Sequence, residues 1–218
     1  MSSISPPPLD GSAAFLRRFV KRRPAAERCE LCGREVPPSH QHLLEINARR
    51  LLCACDACSI LFSGQAATKF RRVPRRNLSL QNFELSDAQW EALSIPINMA
   101  FFVFSTPSQR MDVMYPSPAG ATEALVAQDV WSEIVAVNPV LTTLEPDVEA
   151  LLVNRAGRGR EGGEAEYFVV PIDECFKLVG VIRLHWKGLS GGTEVWQEIA
   201  QFFVNLKQKS RISGGAHA

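Results

Sequence analysis

"CELCG" at residues 29–33 and "CACDAC" at residues 53–58 gather five of the chain's six cysteines into thirty residues. Written out, the spacing is C-x2-C, a gap of 22 residues, then C-x2-C again. Two C-x-x-C pairs are the common protein solution for tetrahedral zinc, because each pair turns two thiolates the same way at about 2.3 Å from the ion. The gap is a little longer than the usual ~15–20 residues and leaves ample chain for a hairpin that returns the second pair to the first. The spacing therefore predicts a metal site made of Cys29, Cys32, Cys55 and Cys58, with zinc as the first choice of ion. Gly33 directly follows the first pair, where a positive φ lets backbone N–H groups face the sulfurs. A segment of some thirty residues has little core of its own. A bound zinc contributes on the order of 10–16 kcal/mol of apparent binding free energy to such a module. Residues 27–62 are accordingly read as a zinc-ribbon or treble-clef-like module.

Other ligand sets are open. Cys53 forms C-x-C with Cys55, and His40 and His42 lie in the gap, so a set using His42 or Cys53 is the alternative. If the four paired cysteines bind, Cys53 is a buried or supporting thiol. Cys175 falls on an apolar helix face and reads as a small core residue. Four thiolates with a C-x-x-C-G turn also resemble a rubredoxin iron site, although the second turn, "CDACS", lacks the glycine. Iron is thus the alternative metal. Redox catalysis by one free pair fits poorly, since two pairs together favour ligation. "HQHLLEINARRLLCACDAC" has a nuclease-like look, but "SILFSGQ" after Cys58 offers no further histidine or asparagine for a catalytic metal. No catalytic residue is assigned.

Composition is that of an ordinary globular protein, 46% hydrophobic and 22% charged, over a length suited to one or two domains. A net charge of +1 conceals an asymmetry. Residues 1–76 carry 14 Lys/Arg against 6 Asp/Glu, and the remainder carries 10 against 17. Either the halves attract each other or the basic half, with Arg49, Arg50, Arg71, Arg72, Arg75 and Arg76, meets an anionic partner such as nucleic acid. Aromatic residues interleaved with these arginines are few, which speaks against nucleic acid. No apolar run approaches the ~20 residues of a membrane span. "FLRRFVKRRP" carries twin arginines, but a polar segment follows where an export signal needs an apolar one. A cytoplasmic location is expected, and there clustered thiols are ligands rather than disulfides.

Along the chain, residues 1–12 read as disordered and 13–26 as a basic amphipathic helix closed by Pro24. The module at 27–62 is followed by a polar connection at 63–82, a mixed α+β domain at 83–210 and a disordered tail at 211–218. In the domain, "LSDAQWEAL" reads as a helix capped by Ser86. "INMAFFVFS" and "MDVMYPS" read as strands joined by a turn at "TPSQ". "ATEALVAQDVWSEIVAVN" reads as one helix burying Leu125, Trp131, Ile134 and Val135. "PDVEALLVNR" and "AEYFVV" are strands flanking a Gly-rich mobile loop, and "DECFKLVGVIRLHW" and "TEVWQEIAQFFVNLKQK" are closing helices. "LSGG" at 189–192 precedes the last helix, with Thr193 as its cap. The fold class is α+β.

Two stretches together carry a family resemblance: "RCELCG…HQHLLEI…RRLLCACDACSILF" with "FRRVP" after it, and "VPIDECFKLVGVIRLHWKGLSGGTEVWQEIAQFF". Over residues 28–74 and 166–204 the chain resembles a family of functionally uncharacterised, largely actinobacterial proteins encoded beside uptake [NiFe]-hydrogenases. The resemblance implies a gene neighbourhood and supplies no catalytic residues. It implies a non-enzymatic, zinc-stabilised accessory or assembly protein whose partner is a hydrogenase subunit. A rubredoxin-like iron or electron-transfer protein and a nucleic-acid-binding zinc protein are the alternatives.

Overall fold

Two sheets organise the chain in the computed structural model, which describes residues 26–63, 69–126, 128–157, 164–188 and 190–213. The smaller contains β1 (Gln41–Glu45), β2 (Arg50–Ala54) and, beyond helix α1 (Asp56–Ser63), β3 (Phe70–Arg72). The larger begins with β4 (Leu78–Leu80). There follow α2 (Asp87–Ala92), β5 (Met99–Ser105), β6 (Arg110–Ser117), β7 (Gly120–Ala124) and α3 (Gln128–Val137). A 3-10 turn (Pro139–Thr143), β8 (Glu149–Asn154), β9 (Glu166–Pro171), α4 (Ile172–His185), α5 (Gly192–Lys209) and β10 (Arg211–Ser213) complete it. The small sheet has the order β2-β1-β3 and the large one β10-β4-β9-β8-β5-β6-β7. All pairings are antiparallel except β10 with β4.

The near-continuous apolar runs of β5, β8 and β9 follow from their position. Strands in mid-sheet with helices over both faces must be apolar on both. Alternate side chains divide the core in two. Met99, Phe101, Val103, Ala150, Leu152, Phe168 and Val170 pack against α4 and α5. Ala100, Phe102, Leu151, Val153, Tyr167 and Val169 pack against Trp90 of α2, Trp131 and Ile134 of α3, and Leu141. Phe102 and Trp131 stack with ring centroids 5.2 Å apart. The mixed α+β class is the one expected, with Ser86 at the head of α2 in a reciprocal capping box with Gln89.

Several local expectations change. The single helix expected over "ATEALVAQDVWSEIVAVN" is a strand followed by a helix. Gly120 turns the chain at φ 131° straight after β6, and residues 120–124 pair back along it as the sheet edge. Leu125, expected in the core, lies 88% exposed between the two elements, while Trp131 and Ile134 are buried as expected. The connection expected at 63–82 contributes β3 to one sheet and β4 to the other, and the tail expected at 211–218 begins with β10. Strands of three residues carry no periodic signal, so only their pairing partners reveal them. Gly191, not Thr193, is the N-cap of α5, at φ 85°. Residues 1–12, the basic helix at 13–26 apart from its last residue, the centre of the Gly-rich loop and the end of the tail lie outside the described residues.

The small sheet lies against the large one through one of its two faces. Leu44 and Val73 are part of the α4-side core and Leu51 packs onto it. On the opposite face Leu43, Leu52 and Ala54 form a small cluster with Leu31 and Phe70. Ion pairs reinforce the junction. Arg49 reaches Asp112, Arg71 Nε lies 3.4 Å from Asp147 Oδ2, and Arg76 Nε donates to Glu149 Oε1 at 2.9 Å. All three carboxylates are buried. The charge asymmetry between the halves is thus used within the molecule.

Candidate metal centre

The first cysteine turn is built by its backbone. Cys29 N–H donates to Arg34 O and Gly33 N–H donates back to Cys29 O, each at 2.8 Å. Gly33 closes the turn at φ 76°, the left-handed conformation expected of it. Its N–H serves the turn rather than a sulfur. The turn is fastened to β2 by Glu30, whose N–H donates to Cys53 O and whose carboxylate accepts from Cys53 N–H, each at 2.9 Å. The second turn is the entry to α1. Cys55 O accepts the first helical bond from Ser59 N–H at 2.9 Å, and Cys58 sits in the opening turn.

These two turns bring the sulfurs of Cys29, Cys32, Cys55 and Cys58 within 4.8 Å of one another. Cys32 Sγ and Cys55 Sγ, from different turns, are 3.8 Å apart. Four thiolates around one ion at about 2.3 Å span tetrahedron edges of about 3.8 Å, whereas a disulfide requires about 2.05 Å. The four cysteines are unbridged. The arrangement can therefore hold a metal ion. Cys29 and Cys58 are buried, with Val36 packed beside them, while Cys32 is exposed.

Electrostatics point the same way. Burial works to raise the Cys29 thiol. The N–H groups of Cys55, Leu31 and Cys32, with the Cys32 side chain, outweigh burial and bring the pKa down to about 6. Cys58 moves oppositely: burial, then hydrogen bonds with Cys55, Cys32 and Cys29, push it up to about 12. The cluster accepts one thiolate and resists the next. A central cation removes that resistance, because it neutralises the gathered charge and displaces the thiol protons.

The alternative ligands form a separate group. His40, His42 and Cys53 each present a ligand atom within 4.8 Å of the others. His42 and Cys53 face each other across β1 and β2, and His40 lies two residues before His42. Strand alternation puts His42 and Cys53 on the face that carries Leu44 and Leu51, away from Leu43 and Leu52, and the His40 ring meets that of His42. Burial raises the Cys53 thiol, followed by the charges of Glu27, Glu30 and Cys29. Cys175 is fully buried in the α4 core, and burial holds its thiol well above the ordinary value.

One contact had no local signal. Asp173, in the first turn of α4, places Oδ2 3.0 Å from His42 Nδ1 across 131 positions of sequence. Its acidic position at a helix start reads from sequence as an ordinary dipole partner, and nothing there points to a histidine in another sheet.

Residues 28–210 match a family described as a family of unknown function (DUF5947), and the chain belongs to it. The matched span takes in the cysteine turns, β1 to β9 and α1 to α5, and stops just before β10. No curated protein and no solved structure matches the chain.

Proposed function

We propose that this member of the family is a zinc-stabilised accessory protein with no turnover of its own, in which zinc at Cys29, Cys32, Cys55 and Cys58 orders the N-terminal module. The observation that carries the reading is the convergence of four sulfurs from two turns at tetrahedral spacing. All four positions of the ion are then filled by protein, the arrangement of a structural rather than a catalytic zinc. The resemblance over residues 28–74 and 166–204 supports a place beside an uptake [NiFe]-hydrogenase in the cytoplasm. There the protein binds a hydrogenase subunit before export or cofactor insertion. Apolar surface suited to a protein partner is present on α1, where Ile60, Leu61 and Phe62 are exposed next to the cysteine centre. Among the described residues no helix is long and apolar enough to cross a membrane. A nucleic-acid role loses support, since Arg49, Arg71 and Arg76 are engaged with buried carboxylates.

Metal analysis of protein purified without a metal-affinity tag or chelator tests the centre. One zinc per chain is expected, lost in Cys29→Ser and in Cys55→Ser. Co-purification from a host expressing the hydrogenase genes tests the partner, and absence of any hydrogenase subunit overturns it. Iron is the second reading, since four thiolates behind a C-x-x-C-G turn also resemble a rubredoxin site. A red protein with a reversible redox potential replaces the zinc reading. A colourless zinc protein from iron-replete cells removes the iron one.

A further inference from the structure

We propose that His40, His42 and Cys53 form a second metal site, distinct from the four-cysteine centre. It would take a borderline divalent ion such as Zn2+ or Co2+, with one coordination position left open. The hydrogen bonding of the two histidines carries the inference. His40 Nδ1 lies 2.9 Å from Pro37 O and 3.4 Å from Glu27 Oε2, both acceptors. The proton therefore sits on Nδ1, and Nε2 is left with a bare lone pair. That Nε2 is buried with no hydrogen-bond partner, on a side chain only 5% exposed. A buried, unpaired acceptor of this kind is costly unless something binds it. His42 repeats the pattern: Asp173 Oδ2 accepts from Nδ1 at 3.0 Å, which leaves Nε2 free. A carboxylate or carbonyl behind Nδ1 is the usual support of a metal-binding imidazole, because it sets the tautomer and the ring orientation.

Strand geometry supplies the third ligand. Cys53 is the cross-strand neighbour of His42, so its sulfur rises from the same face. The two rings meet edge to face with centroids 4.7 Å apart. Two imidazoles and a thiolate suit zinc-like ions rather than calcium or magnesium. Three protein ligands leave a fourth position, as in catalytic and exchangeable zinc sites. Beside the histidines lies a cleft of about 480 Å³ lined by Arg75, Lys177 and Lys209 and equally by Glu27, Asp173 and Glu174, and this leaves room for a water as the fourth ligand. Because Asp173 belongs to α4, an ion here would also lock the small sheet onto the large one.

The test is a Co2+ titration of full-length, metal-free protein under reducing conditions. Two equivalents are expected to bind. The first should have a four-thiolate spectrum and the second a weaker thiolate-to-cobalt band. In the His40→Ala/His42→Ala double variant the second equivalent disappears and the first stays. Asp173→Asn, a positioning change, should weaken the second equivalent about 10–100-fold and leave the first unmoved. The proposal is overturned if wild-type protein in hundredfold excess Co2+ stops at one equivalent that the double variant also binds, or if the double variant still binds two. Loss of the first equivalent with retention of a histidine-dependent one would count against the four-cysteine reading instead, so the two are separable.

Discussion

The cysteine module and the large sheet are held together by different means. The large sheet buries apolar residues on both faces, with Phe101, Phe102, Leu151, Leu152 and Phe168 almost wholly out of water. Burial on that scale is enough to order a domain. The module has Leu43, Leu52 and Ala54 on one face and Leu44 and Leu51 lent to its neighbour on the other. So small a cluster cannot offset the conformational entropy of the loops it must order. The contrast teaches that a long segment in this chain is ordered by its own core, whereas a short one leans on docking and carries four sulfurs placed where they could hold an ion.

Metal removal is the strongest way to break the comparison. Stripping the centre by chelation under reducing conditions, or Cys29→Ser, removes binding energy of the order of 10 kcal/mol from the module. Hydrogen exchange should then lose protection over β1, β2 and α1 while β5, β8 and β9 keep theirs. Equal loss in both sheets would show that they fold as one unit. The reciprocal change, Phe101→Ala, should cost about 3–5 kcal/mol in denaturant unfolding, with zinc content unchanged in the folded protein. Next comes the junction. Arg76→Ala leaves the Glu149 carboxylate buried without its partner. Breaking a buried pair costs about 3–5 kcal/mol, and because Arg76 is partly exposed, about 2 kcal/mol is expected here. The smallest effect is expected at Gly191→Ala, at about 1–2 kcal/mol. The backbone there has φ 85°, and an added Cβ meets Val195 Cγ1 at 2.8 Å and the Trp186 ring at 3.1 Å. Thermal unfolding should register that cost in the large sheet alone, with metal content untouched.

The legible parts of this protein are those written in short-range pattern. The C-x-x-C pairs announced themselves by spacing, and the four sulfurs do converge. α4 and α5 followed from helical periodicity, and β5, β8 and β9 from apolar runs bounded by turns. β7 was misread because "ATEAL" holds four good helix formers around Thr122, and pairing with β6 overrode that propensity. The third group of ligands was visible as residues but not as a site. His40, His42 and Cys53 were weighed as substitutes within one centre, and the fold gathers them into a group of their own.

From its own letters, then, the chain specifies an α+β molecule with a thiol-rich module at one end, since ligand spacing and hydrophobic period are local properties. Where the module's second face would rest, how the arginines would be spent on Asp112, Asp147 and Glu149, and that Asp173 would stand behind His42 came from folding. Those contacts join residues dozens to more than a hundred positions apart, and such pairs leave no mark in the order of neighbouring residues.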